Sequence, residues 1–141
     1  MRRLLPFASA VLFLAVAAPV STVSAQQVVS LSQQERDELA SGFREAVQEL
    51  KPTLPRQLDE VTTLIDVASD DIVMIYNHAI TLNLTLAIQE KLAEHLRKTV
   101  CGNEAIRQTL VWGATYRYSY QDKDGNPVAA FDISGRDCGL A

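Results

Sequence analysis

The sequence predicts an α+β domain in the order α-ββ-α-ββ, with an antiparallel four-stranded sheet, helices packed on one face and one disulfide. Three observations carry this expectation. Two apolar stripes recur at helical spacing, two pairs of segments rich in β-branched or aromatic residues read as strands, and a turn-forming cluster separates the members of each pair.

The first 25 residues stand apart from this plan. Met1-Arg2-Arg3 is basic, Leu4 to Val20 is almost free of polar groups, and Val23-Ser24-Ala25 precedes the polar Gln26-Gln27. That is the order of a basic, an apolar and a small-residue cleavage region in a secretory signal. Leu4 to Val20 sits at the lower end of what spans a membrane, and Pro6 and Pro19 shorten its usable helix. Residues 1–25 are therefore expected to be a cleaved secretory signal peptide and 26–141 a single small α+β domain, periplasmic or secreted, with no stable membrane insertion after cleavage. The paired arginines lack the flanking residues of a twin-arginine signal, and no cysteine stands at the cleavage site for lipid attachment, so general secretion of an unfolded chain is expected.

Ser32 and Glu35 form the pattern of a capping box, and Leu39, Phe43, Ala46, Val47 and Leu50 continue from it as one apolar stripe. Pro52 and Pro55 end that helix and begin an extended stretch. Leu58 to Ala68 and Ile72 to Ile80 read as two antiparallel strands around the turn formers Ser69-Asp70-Asp71. In the second, Ile72, Met74, Tyr76, His78 and Ile80 share one face and Val73, Ile75 and Asn77 the other, which predicts burial on both sides. Asn83 is the expected cap of a second helix striped by Leu84, Ile88, Leu92, Leu96 and Val100, with Gly102 at its end. Asn103 then opens a short turn of helix that points Ile106 and Leu110 inward. Ala114, Tyr116, Tyr118 and Tyr120 alternate with polar residues, Asp122 to Asn126 makes a turn, and Val128 to Ser134 returns as the second strand of a hairpin.

Both cysteines, Cys101 and Cys138, lie in the exported part, where an even pair reads as a disulfide that staples the second helix to the sheet. There is no Cys-x-x-Cys spacing and no basic cluster to activate either thiol. Residues 26–141 hold 11 Lys and Arg against 17 Asp and Glu, a formal charge of −6. Such a surface disfavours phosphate backbones, so no nucleic acid is expected as partner.

Catalytic, cofactor-binding and metal motifs are not found. Asp122-Lys123-Asp124-Gly125-Asn126 offers alternate oxygens, but Gly125 is fourth where a calcium loop needs it sixth, and Ile133 stands where the bidentate Glu belongs. His78 and His95 have no partner at metal spacing, and neither Ser41 nor Ser134 sits in a nucleophile motif. Asn83-Leu84-Thr85 fits a glycosylation acceptor, though Asn83 reads better as a helix cap.

What remains is a candidate interface of Trp112, Tyr116, Arg117, Tyr118 and Tyr120, residue types enriched at protein contacts and equally apt to pack beneath helices. The expected function is that of a non-enzymatic binding protein whose partner is another envelope or secreted protein, such as an inhibitor, an immunity factor, a virulence-related protein or an envelope accessory. Two alternatives stay open: a hydrolase using carboxylates among Glu60, Asp66 and Asp132, and a carrier of an apolar ligand.

Overall fold

The computed structural model describes residues 31–140. The expected signal peptide and its cleavage point lie outside the described residues. The first helix, α1 (Gln33–Leu50), begins with the capping box read from the sequence: the Ser32 hydroxyl accepts from the Glu35 amide at 3.3 Å, and the Glu35 carboxylate accepts from the Ser32 amide at 2.8 Å. Leu39, Ala40 and Phe43 form its buried stripe. A 3-10 turn over Lys51–Thr53 holds Pro52 at its start, where a missing amide hydrogen costs nothing. There follow β1 (Arg56–Gln57), β2 (Thr62–Asp70) and β3 (Val73–Ile80), then α2 (Leu86–Gly102), α3 (Glu104–Val111), β4 (Thr115–Gln121) and β5 (Pro127–Ile133), and a closing 3-10 turn over Arg136–Cys138.

The five strands make one sheet in the order β1-β2-β3-β4-β5. Two corrections to the expected sheet follow. It has five strands, because the stretch after Pro55 adds Arg56 and Gln57 to the edge of β2. It is mixed, because β3 and β4 pair in parallel. Both hairpins are antiparallel as expected, but the helical connection from Ile80 to Thr115 carries the chain back to the end of the sheet where β3 began. A return of that kind makes the next strand parallel. β2 also starts four residues later than Leu58, and a bulge between Leu64 and Asp66 shifts its register. The cap position of α2 is Thr85 and not Asn83, whose carbonyl accepts from the Thr85 amide within the preceding turn. Asn103 does cap α3, its side chain accepting from the Ile106 amide at 3.1 Å.

All three helices meet one face of the sheet. Met74, Tyr116 and Ile133 form a cross-strand row, and Leu39, Ala40 and Phe43 from α1, Val100 from α2 and Leu110 from α3 pack onto it. Nearer the other end of β3, Leu96 of α2 packs with Ile80 and Tyr120. The opposite face carries the row Ile75, Arg117 and Asp132, where the Arg117 guanidinium donates two 2.7 Å bonds to the Asp132 carboxylate.

Cys101 and Cys138 are bonded, with Cα atoms 5.3 Å apart, so the last turn of α2 is tied to the 3-10 turn that follows β5. The loop they close contains α3 and the β4–β5 hairpin. That hairpin turns on Gly125 at φ +85°, a conformation open to glycine, while the Asp122 carboxylate accepts from the amides of Asp124 and Asn126 at 2.9 Å each. The acidic loop thus spends its oxygens within itself, Asp122 on the backbone and side chain of Asn126 and the amide of Asp124, and Asp124 on the Lys123 ammonium.

Candidate functional site

Trp112 is the only tryptophan and stands at the C-terminal end of α3, 42 % exposed. Its position follows from the chain reversal there. Gly113 takes φ +90°, and the Ala114 amide bonds back to the Thr109 carbonyl at 3.0 Å, which ends α3 and sends the chain into β4. The indole is left at the surface beside Val111, itself 55 % exposed.

Between α1 and α3 lies a cavity of about 510 Å³, lined by Trp112 and Thr109 on one side and by Leu39, Gly42 and Phe43 on the other, with Glu35 and Glu38 beside them. Gly42 faces this open space, where a Cβ would meet nothing within 4 Å. Behind the cavity, Phe43 packs edge-to-face on Tyr116 with ring centres 5.7 Å apart. The Thr109 hydroxyl donates to the Ile106 carbonyl at 2.7 Å, which leaves the Tyr116 hydroxyl as donor in their 2.9 Å contact. One wall is thereby fixed by a hydrogen-bonded network while its opening stays apolar. The Ser32 hydroxyl holds the Glu35 carboxyl below the usual carboxylate range, so the rim carries negative charge at neutral pH.

The structure separates the five residues of the candidate interface. Tyr116 and Tyr120 lie in the core, each 5 % exposed, Tyr118 is half-buried, and Arg117 occupies the uncovered face. Of these, only Tyr116 touches the machinery of the Trp112 cavity, through Thr109 and Phe43. The cavity wall supplied by Leu39, Gly42 and Phe43 was hidden inside what reads as an ordinary core stripe. Its one sequence signal is Gly42, a residue that weakens a helix interior unless space is wanted there.

The other tyrosines build a neutral aromatic ladder under the helices. Tyr118 stacks on Tyr76 at 5.3 Å, His78 stacks on Tyr120 at 4.7 Å, and Tyr120 meets Phe131 edge-on at 6.0 Å. Burial lowers the pKa of His78 and pushes Tyr120 up to about 12, so both are uncharged at neutral pH. The Nδ1 atom of His78 lies 3.3 Å from the Ser119 carbonyl. His95 is exposed on α2, and among the described residues no three His, Cys, Asp or Glu side chains converge as metal ligands would.

Two of the three carboxylates weighed for hydrolysis are far apart. Asp66 on β2 and Asp132 on β5 are separated by β3 and β4, three strand spacings or about 14 Å, against about 5–9.5 Å for a working glycosidase pair. Asp66 is 3.6 Å from the Lys51 ammonium and Asp132 is held by Arg117. Glu60 is exposed in the loop before β2. No described helix is long and apolar enough to cross a membrane.

The same fold occurs in solved bacterial proteins, two of them pilotins of secretion systems. A Pseudomonas aeruginosa protein described as secreted superposes with a TM-score of 0.67 and 21% identity, covering 77% of this chain and 99% of the other. The type 2 secretion system pilotin EpsS of Vibrio vulnificus gives 0.67 and 13% identity over 76% of this chain and 97% of that one. The type II secretion system pilotin AspS of Vibrio cholerae gives 0.61 and 16% over 74% and 96%. At these identities the likeness is one of fold. No protein-family model and no curated protein matches the chain.

Proposed function

We propose that the protein is an exported, non-enzymatic accessory of the cell envelope that holds a segment of another envelope or secreted protein in the cleft between α1 and α3. The observation that carries this reading is Trp112, the sole tryptophan, left 42 % exposed over an apolar cavity. Tryptophan in such a position is the residue type that most often dominates a protein interface. The cavity has room for one bulky apolar side chain of the partner, and Glu35 and Glu38 favour basic residues on either side of it. Two pilotins and a protein described as secreted share the fold, which agrees with the export signal expected of residues 1–25.

Trp112 is also the reporter for the test. Because it is the sole tryptophan, partner binding should shift its fluorescence to shorter wavelength as the indole leaves water. Envelope proteins cross-linked to the wild-type protein should be lost at least about tenfold with Trp112→Ala, the scale of a hot-spot truncation of 2 kcal/mol or more. Equal capture by the two proteins overturns the cleft, and co-purifying lipid without a protein partner favours the carrier alternative.

A further inference from the structure

On the far side of the sheet from β1 lies an edge with the features of a second docking site. β5 is the last strand in the sheet, and only β4 pairs with it. Among the described residues, no backbone or side-chain hydrogen bond reaches its outer edge between Val128 and Asp132. A free strand edge is a template for another chain, and proteins usually guard it with lysines, a mid-strand proline or a bulge. Here Pro127 is the first residue of the strand, no lysine lies within it, and the only register irregularity in the pairing sits next to that proline.

The edge is also half of a groove. α2 lies alongside β5, and a cavity of about 540 Å³ runs between them, lined by Glu90, Ala93, Glu94 and Arg97 of α2, by Ala130 to Ile133 of β5 and by Asp137. A strand edge facing a helix across such a gap is the geometry in which an extended peptide adds to a sheet, its backbone bonding the strand and every second side chain entering the gap. Ala93 is the small residue that leaves room, with Phe131 and Ile133 as apolar wall. Four carboxylates line the groove against one guanidinium; two are already paired, Asp132 with Arg117 and Glu94 with Lys98.

We propose that the groove takes an extended, cationic segment of a partner protein as a sixth strand, whose gap-facing side chains are apolar where they meet Ala93, Phe131 and Ile133 and basic where they meet Glu90 and Glu94. A second copy of this chain fits less well, since each copy would bring a formal charge of −6 over residues 26–141 to the contact. The site is independent of Trp112.

The test uses the ¹⁵N-labelled exported protein and an acetylated octapeptide in which Thr alternates with gap-facing Val and Lys in turn (Thr-Val-Thr-Lys-Thr-Val-Thr-Lys), with the same peptide carrying Glu for Lys as control. The expected result is amide shifts centred on residues 128–132 and on α2 around Ala93, slowed exchange of outward β5 amides, and binding of the Glu-bearing peptide at least tenfold weaker. Ala93→Trp should fill the groove and weaken binding at least tenfold. Should that variant unfold, Glu90→Gln with Glu94→Gln should weaken it about threefold, the effect of losing exposed charge contacts. Trp112→Ala should leave the affinity unchanged, which separates this site from the cleft. Equal binding of the acidic peptide, shifts centred on the α1–α3 cleft, no shift at millimolar peptide, or β5 shifts that grow with protein concentration alone would each overturn the proposal, the last in favour of self-pairing.

Discussion

Replacing Cys101 and Cys138 together by alanine removes the bond between the end of α2 and the turn after β5 without placing new hydroxyls in two half-buried positions. The bond closes a loop with a sequence separation of 37, and the chain entropy it removes from the unfolded state corresponds to about 4 kcal/mol. For the 110 described residues, an unfolding entropy of about 2.1 cal/mol/K per residue gives roughly 0.23 kcal/mol per kelvin, so the melting temperature should fall by about 17 °C. Scanning calorimetry of the two proteins measures it. The loss should also be local: amide exchange should quicken in the last turn of α2 and over Arg136–Cys138, because α3 and the β4–β5 hairpin are then held to α2 by packing alone. A fall of less than about 5 °C would refute the reasoning, as would two alkylatable thiols in protein recovered after export.

Three further expectations can be checked by urea denaturation. Met74→Ala empties a site 2 % exposed at the centre of the core and should cost about 2–5 kcal/mol, whereas Trp112→Ala, at the surface, should stay within about 1 kcal/mol of wild type. Gly135→Ala places a Cβ 3.0 Å from the backbone carbonyl oxygen of Leu110, which cannot swing aside, and should destabilise by about 1–3 kcal/mol. Burial holds His78 below its ordinary pKa of 6.5, so the unfolded chain takes up this proton first as pH falls; stability from the neutral ring is complete above 6.5 and is lost below it. The denaturation midpoint should therefore drop more between pH 7.5 and 5 in wild type than in His78→Phe, and parallel pH profiles would contradict the burial argument.

Local signals carried most of the elements, and the long-range pairing was the part they could not carry. The capping box at Ser32, the alternation from Ala114 to Tyr120 and the glycine turn at Gly125 are each decided by residues a few positions apart, and each appears where the residues put it. The parallel pairing of β3 with β4 depends on where a two-helix crossover delivers the chain, which no short window contains. β1 is two residues long and owes its strand geometry to its neighbour, so no alternation could announce it. The cleft was hidden for a similar reason. Leu39 and Phe43 have the spacing of any buried stripe, and only α3 arriving opposite Gly42 turns that stretch into a wall with an opening.

The spatial order of the strands equals their order along the chain. A sheet of this kind can be assembled vectorially: when the chain appears N-terminus first, each new strand finds its pairing partner already present, and nothing has to be inserted between strands laid down earlier. The one delay is between β3 and β4, where 34 residues of crossover must emerge before the next edge can be covered. Until then β3 exposes Met74 and Tyr76 with only α1 packed against them, and His78 without its partners Tyr118 and Tyr120, and in that interval the emerging chain is most open to capture or to aggregation.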